Sequence, residues 1–279
     1  MVPPEVNPAP PLTVSGLFKP DREALIAVLS ELAPSQWSTP TVCAGWDVRD
    51  VALHILGGDM ASISGHRDGA WGLQPRPDET LGVFINRINH EWVAAARRLS
   101  PRLIIELLQA TGPPLFMYLQ TIDPLAAGGV VSWAGAELAP NWLDLAREYM
   151  ERWVHQQHIR DAVGKRGQCE PRFIAPVVAA SMHALPVALA HVRPRMAHAV
   201  VVRVEGEGGG CWSIIREAHR WRVFEGAAAD AQTEIVVGVE DWWRLVTLGL
   251  SAAEARRRAR VAGDAALAEA VFATVAIIA

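Results

Sequence analysis

Five polar residues recur at helical spacing in the segment LDLAREYMERWVHQQHIRDAVG, residues 143–164. They are Asp144, Glu148, Glu151, His155 and His158, at successive steps of four, three, four and three. On an α-helix such steps return to one face, so Glu151 and His155 would lie one turn apart on it. A carboxylate and an imidazole in that arrangement can share a divalent metal ion. The segment is therefore a candidate for half of a metal site.

The same segment is also typical of an ordinary surface helix. Its apolar residues occupy a different sector of the helix from the polar stripe; they are Leu143, Ala146, Met150, Trp153 and Val154. A helix with one apolar and one polar face usually turns the polar face to water. From this segment alone we favour a solvated helix face.

Three residues of the stripe have more than one open role. His158 either orients His155, serves as an alternative ligand or faces solvent, and we favour the solvent-facing position. Glu148 and Asp144 either accept the second N–H of the imidazoles or face water, and the sequence does not decide between the two.

A third metal-ligand type stands on an earlier helix. The segment GWDVRDVALHILGGDM predicts a helix with Asp47 as its N-cap and Gly57 and Gly58 loosening its end. The apolar stripe of this helix is Val48, Val51, Ala52, Ile55 and Leu56. His54 lies at the flank of that stripe, where a bundle helix can direct a side chain into an internal cleft. A lone histidine there is more often a hydrogen-bonded boundary residue.

These residues need helices to position them, and the chain from about residue 20 to 165 reads as helical. The predicted helices are KPDREALIAVLSELA with Asp21 as N-cap, GWDVRDVALHILGGDM, TLGVFINRINHEWVAAARRL and the segment 143–164. Four helices with the longest loop between the third and the fourth predict a four-helix bundle with room for a core site.

The pattern changes to strands between about residues 198 and 240. Alternating segments at 199–204, 211–216 and 220–224 predict an antiparallel meander, with EGEGGG as a hairpin turn and TEIVVGV as a further strand. Helices follow to the end of the chain. We therefore predict an α+β protein with a proline-rich arm (1–16), a four-helix bundle (17–168) and a small α+β domain (169–279).

Composition excludes several classes of protein. The chain has 279 residues, 51% of them hydrophobic, and a net charge of −4, which describes a globular protein without the basic stripe of a nucleic-acid-binding surface. Its basic run, Arg256 to Arg260, is read as a solvated helix face. Three cysteines without a CxxC pair indicate neither a disulfide framework nor a cysteine-rich zinc site, and they fit a reducing cytoplasm. Without an uninterrupted run of about 18 apolar residues we expect no membrane span.

Two segments carry a resemblance to a known family. PTVCAGWDVRDVALHILGGD and EYMERWVHQQHIRDA resemble the metal-binding N-terminal domain of the mycothiol-dependent maleylpyruvate isomerase family, a branch of the DinB-like four-helix bundles. GCWSIIREAHRWRVFEG through ARVAGDAALAEAVFATV is similar to the family's C-terminal domain, which has a sterol-carrier-like α+β fold. The resemblance implies that His54, Glu151 and His155 bind zinc.

The resemblance also implies a chemistry. Two imidazoles and one carboxylate leave Zn²⁺ an open position, where a thiol would lose its proton. No cysteine is placed by a motif for that role, and for Cys43 we favour a structural position, so the thiol is expected to be mycothiol. The family's reaction adds a thiolate to an activated double bond, lets it rotate and eliminates the thiol. The same arrangement would serve transfer of the thiol to an electrophile.

We therefore predict a zinc-dependent, mycothiol-using isomerase or S-transferase that acts on a small molecule in the cytoplasm. Arg260, placed by the resemblance in a terminal helix, is expected to bind the substrate carboxylate or a developing enolate. Two alternatives stay open: a non-catalytic protein of the same fold that binds metal and a small ligand, and a protein whose histidines are structural. We expect no nucleic-acid or membrane partner, and the sequence does not indicate the oligomeric state.

Overall fold

The computed structural model describes residues 6–192, 199–218 and 220–277. These residues form two compact units. The helical unit comprises Val14–Asp123 and Glu148–Gln168. The sheet unit comprises the described residues of Met1–Thr13, Pro124–Arg147 and Cys169–Ile277. The division into an arm at 1–16, a bundle at 17–168 and a domain at 169–279 stays a prediction.

The helical unit is built from long helices. They are α1 (Phe18–Ser30), α2 (Val48–Ala61), α3 (Leu81–Ala96), α4 (Pro101–Thr121) and the part of α5 (Asn141–Val163) that begins at Glu148. Short 3-10 helices at Ser15–Leu17 and Pro34–Ser38 and a π-helix at Ser62–Arg67 connect them. The predicted apolar stripe of α2 is buried in the core, with every member at most 4% exposed.

The start of α2 is fixed by a reciprocal cap. The Asp47 side chain accepts the backbone N–H of Asp50 at 2.9 Å, and the Asp50 carboxylate accepts that of Asp47 at 3.3 Å. Each bond satisfies a donor that the first helical turn leaves unpaired. The predicted N-cap is confirmed, and it sets the helical phase that places His54 in the second turn.

Helix α4 lies where the sequence analysis predicted the longest loop, and that prediction was wrong. Ser100 caps the helix and Pro101 occupies its first position, as is favourable at a helix start. Pro113 and Pro114 lie inside the helix, where each removes a backbone hydrogen-bond donor. The helix nevertheless continues because its apolar face is buried, including Leu108 and Leu115 at 0% exposure.

Asp21 does not cap α1, contrary to prediction. The helix starts earlier, at Phe18, with Leu17 as its N-cap residue. This shift moves Asp21 into the interior, where its carboxylate accepts a hydrogen bond from the Gln156 side chain at 2.7 Å. A buried carboxyl group therefore lies where we expected a helix N-cap.

The sheet unit contains a six-stranded mixed sheet and a small hairpin. In chain order its strands are β1 (Asn7–Pro8), β2 (Ala127–Val130), β3 (Leu138–Pro140), β4 (Ala199–Glu205), β5 (Gly210–Glu217), β6 (Arg220–Glu225), β7 (Thr233–Gly238) and β8 (Arg260–Gly263). The large sheet has the order β1-β6-β5-β4-β7-β8, and β2 pairs with β3. The β4-β5-β6 meander is antiparallel, as predicted, whereas β7 runs parallel to β4.

Helices complete the sheet unit. They are α6 (Pro171–Ser181), α7 (Leu185–Leu189), α8 (Val239–Val246), α9 (Ala252–Arg258) and α10 (Ala265–Phe272). A helical region followed by a mixed-sheet domain confirms the predicted α+β class. 

One apolar helical stretch bears on the expectation that the chain has no membrane span. Pro171–Leu189 is long and apolar enough to cross a membrane by length and composition alone. The same property is found in core helices of soluble proteins, and 56% of its most apolar window is buried inside the fold. It is therefore weak evidence for a span.

Candidate metal centre

The three predicted metal ligands converge within the helical unit. His54 comes from α2, and Glu151 and His155 come from successive turns of α5. The Glu151 Oε1 atom lies 3.0 Å from His54 Nε2 and 3.1 Å from His155 Nε2. One ligand atom from each residue lies within 4.8 Å of the other two. The two imidazole rings meet edge to face, with centroids 4.6 Å apart.

These separations fit the donors of a small divalent cation. With zinc bonds of about 2.0–2.2 Å to nitrogen and oxygen, tetrahedral ligand atoms stand about 3.3–3.6 Å apart, slightly farther than the two distances found here. Two imidazoles and a carboxylate are also a donor set that zinc takes in proteins. The side chains of His54 and His155 are 11% and 12% exposed, and that of Glu151 is 34% exposed. The cluster is thus largely enclosed but reachable on the carboxylate side.

The charges of the cluster are coupled. Burial lowers the pKa of His54. Burial would lower the pKa of His155 as well, but the Glu151 carboxylate and the Cys43 sulfur raise it to about 10. Burial opposes the ionisation of Glu151, yet the two histidines hold the pKa of its carboxyl well below the usual range. At neutral pH and without a metal, Glu151 is therefore an anion that faces the neutral imidazole of His54 and the imidazolium of His155.

Buried polar contacts fix the register of α5 on both sides of its ligands. Arg152, next to Glu151, reaches the Asp59 carboxylate of α2 at 3.3 Å. Gln156, next to His155, donates its amide N–H to Asp21 of α1. Because a slip of α5 would break both contacts, they hold Glu151 and His155 opposite α2.

Helix α2 is fixed by a close approach of α3. Trp92 donates its indole N–H to the Leu53 carbonyl at 2.8 Å, directly before His54. A Cβ atom at Gly57 would meet the Trp92 ring at 2.5 Å, so glycine is required for this packing. Gly57 therefore allows a helix contact one turn from His54, and α2 continues past both glycines to Ala61.

Two residues that the sequence did not favour as ligands lie beside the cluster. Cys43 Sγ is 3.2 Å from His158 Nδ1 and 3.9 Å from His155 Nδ1. His158 is 3% exposed, so the favoured solvent-facing position was wrong. The histidine is buried because its turn of α5 faces the loop that carries Cys43, a contact between residues 115 positions apart.

The two acidic residues with open roles are engaged by arginines. Glu148 Oε2 lies 2.5 Å from Arg152 Nη1. Asp144 Oδ1 lies 2.8 Å from Arg147 Nε. Of the polar stripe, Glu151, His155 and His158 therefore belong to the candidate centre, and Glu148 pairs with Arg152, the neighbour of Glu151.

Arg260 lies in the sheet unit, at the start of β8 and not in a terminal helix. The predicted helical placement was wrong because residues 260–263 pair antiparallel with β7. Its side chain is 70% exposed and forms an ion pair with Glu205 at 2.7 Å. Its role in substrate binding stays a prediction. The arginines before it are likewise paired, among them Arg256 with Glu269 and Arg258 with Asp241.

The site places this protein among the helical bundles in which a histidine of one helix faces a Glu-x-x-x-His pair of another helix. The chain belongs to the family described as the mycothiol maleylpyruvate isomerase N-terminal domain, whose family model matches residues 18–160. The family expected from the sequence is therefore confirmed.

Two solved structures share the fold. One is the mycothiol-dependent maleylpyruvate isomerase, with a TM-score of 0.52 and 10% sequence identity, over 83% of this chain and 86% of that chain. The other is a histidine-to-alanine variant described under the same enzyme name, with a TM-score of 0.51 and the same identity and coverage. At this identity the likeness shows the fold alone. No curated protein matches the chain in sequence.

Proposed function

We propose that the protein is a zinc-dependent enzyme that uses mycothiol as its thiol cofactor and isomerises an unsaturated acid of the maleylpyruvate type. The observation that carries the proposal is the convergence of His54, Glu151 and His155 in a member of this family. The solved enzyme of the same fold, named as a mycothiol-dependent maleylpyruvate isomerase, supports the choice of cofactor and substrate.

The three residues would hold the metal with complementary donors. His54 and His155 would each give a ring nitrogen and Glu151 a carboxylate oxygen. When bound, zinc keeps a net positive charge and an open position with this ligand set, and it lowers the pKa of a thiol that binds there. The nucleophile is then a thiolate at neutral pH.

The surrounding residues would keep the ligands in place. The Trp46 ring lies against His54, with centroids 5.0 Å apart, and limits the rotation of that imidazole. Arg152 and Gln156 hold the register of α5 through their buried contacts. A site whose ligands are held by packing and hydrogen bonds loses little freedom when the metal and the thiol bind.

Mycothiol binding tests this proposal directly. We expect calorimetric titration to show mycothiol binding to the zinc-loaded protein, and at least about tenfold weaker binding to the metal-free protein, because the metal supplies the thiolate contact. Mycothiol binding of equal strength in the two forms, or in neither, would contradict the proposal. His90→Ala, which changes an exposed histidine of α3, should bind as the unaltered protein does.

Product analysis separates the possible reactions. With catalytic amounts of mycothiol, an isomerase converts the cis unsaturated acid to its trans isomer and leaves the thiol unconsumed. An S-transferase consumes one thiol per product formed. Thiol binding with neither product, across maleylpyruvate and small electrophiles, would favour the non-catalytic binding protein.

A further inference from the structure

The two ring nitrogens of His155 face different sets of donors. Nε2 lies 3.1 Å from Glu151 Oε1, on the side of His54. Nδ1 lies 3.9 Å from Cys43 Sγ, which is itself 3.2 Å from His158 Nδ1. The proposed zinc site uses only the first of these two sides. The second side has a sulfur and two ring nitrogens in contact, and the proposed function gives it no role.

We propose that Cys43, His155 and His158 form a second metal site, which takes a thiophilic cation such as Cu⁺ or Cd²⁺. Their ligand atoms lie within 4.8 Å of one another. Zinc bonds of about 2.3 Å to sulfur and about 2.0–2.1 Å to nitrogen place tetrahedral donors about 3.5 Å apart, and a larger soft cation places them farther apart. The separations of 3.2 and 3.9 Å found here therefore suit an ion of zinc size or somewhat larger. One thiolate and two imidazoles select soft cations over hard ones.

Backbone hydrogen bonds hold the sulfur in this position. The Trp46 N–H donates to the Cys43 carbonyl at 3.0 Å, and the Cys43 N–H donates to the Thr41 hydroxyl at 3.2 Å. The Thr41 hydroxyl in turn donates to the Trp46 carbonyl at 2.9 Å. Cys43 therefore lies in a closed loop that fixes the direction of its side chain toward α5.

Helical spacing supplies the other two donors. His155 and His158 are three residues apart on α5, so both rings lie on the face toward the loop. His158 is 3% exposed and Cys43 is half-buried. A buried arrangement of this kind differs from the exposed clusters that occur on many surfaces, because its donors are already ordered and partly desolvated.

The two sites share His155 and therefore compete for it. A neutral imidazole carries one proton, so one of its nitrogens binds a metal while the other keeps its hydrogen. A chain thus holds one cation, on the carboxylate side or on the sulfur side according to the softness of the ion. Binding on the sulfur side transfers the Cys43 thiol proton to solvent. The second site does not depend on the proposed function, because it requires neither His54 nor Glu151.

Cadmium titration of the full-length, metal-free protein tests the second site. A Cys169→Ser/Cys211→Ser variant keeps Cys43 as its one thiol. Adding Cd²⁺ should produce thiolate-to-cadmium charge-transfer absorption in the ultraviolet, saturating at about one ion per chain. The band should persist when His54→Ala is added to this variant. The replacement His158→Asn, which retains a polar side chain but no ring nitrogen, should weaken cadmium binding at least about tenfold.

Two results would overturn the second site. One is the absence of the band in the single-thiol variant while circular dichroism shows a folded protein. The other is a band with unchanged affinity in the His158→Asn variant, which would leave Cys43 as an isolated thiol. The zinc proposal would fail in a different way. Because Cys43→Ser leaves His54, Glu151 and His155 intact, a folded Cys43→Ser variant that lost zinc-dependent mycothiol binding would contradict the zinc proposal.

Discussion

The substitution Asp59→Asn is expected to lower the free energy of unfolding by about 3–5 kcal/mol, although the residue contacts neither proposed metal site. Asp59 is 0% exposed. Its carboxylate lies 2.7 Å from Arg22 and 3.3 Å from Arg152, and it accepts a hydrogen bond from the Thr111 hydroxyl at 2.8 Å. Because these partners come from α1, α5 and α4, one carboxylate on α2 joins four helices.

The expected loss of stability comes from the two arginine charges that stay buried beside residue 59. Asparagine has nearly the volume of aspartate but no charge, so the variant buries two guanidinium groups with less compensation. Removing one partner of a buried ion pair costs more than the pair contributes, since the other charge stays desolvated. Replacing Arg22 as well, in an Asp59→Asn/Arg22→Met variant, should recover part of the loss because one of the uncompensated charges is gone.

Urea unfolding followed by circular dichroism measures these differences. The control is Asp68→Asn, which breaks the exposed pair with Arg67, whose side chains are 38% and 47% exposed. Exposed pairs of this kind contribute little, so the control should unfold at the wild-type urea concentration. Equal midpoints for Asp59→Asn and Asp68→Asn would show that the buried network does not depend on its central charge.

The substitution Asp21→Asn is expected to remove a pH dependence of stability. Burial raises the pKa of Asp21 to about 7 from 3.8, although three nearby arginines and the Gln156 hydrogen bond favour the anion. Between about pH 4 and pH 7 the folded protein therefore keeps a proton that the unfolded chain has released. The stability of the wild type falls as the pH rises through this window and levels off above it.

Asparagine cannot ionise, so the stability of Asp21→Asn should not decrease as the pH rises from about 4 to 7. At pH 4 the variant and the wild type should have similar free energies of unfolding, and at pH 8 the variant should be more stable by on the order of 3–4 kcal/mol. Urea unfolding at both pH values gives the difference. Glu23→Gln, an exposed change on the same helix, should follow the wild type throughout. A constant difference between Asp21→Asn and the wild type would contradict the raised pKa.

Local rules were sufficient to predict the part of the site that lies on α2. The Asp47 cap and the apolar stripe are short-range features, and together they fix which face His54 occupies. The Glu151–His155 spacing similarly placed both groups on one face of α5. What local rules could not supply was that the two faces meet, since that depends on the packing of four helices.

The errors also have physical causes. We predicted no helix between Leu99 and Leu143, whereas burial of its apolar face stabilises α4 there in spite of Pro113 and Pro114. His158 was assigned to solvent because its partner, Cys43, is 115 residues away. Arg260 was placed in a helix by the family resemblance, whereas its short strand pairs with β7. In each case the observed position depends on a tertiary contact that the sequence does not show.

The zinc content of two matched variants tests the central claim most directly. Cys43→Ser removes the sulfur of the second site, so any zinc that remains must be held by the carboxylate side. We expect about one zinc ion per chain in purified Cys43→Ser protein and a small fraction of that in Cys43→Ser/His54→Ala protein. Equal, near-stoichiometric zinc in the two variants would show that His54, Glu151 and His155 are not the zinc ligands.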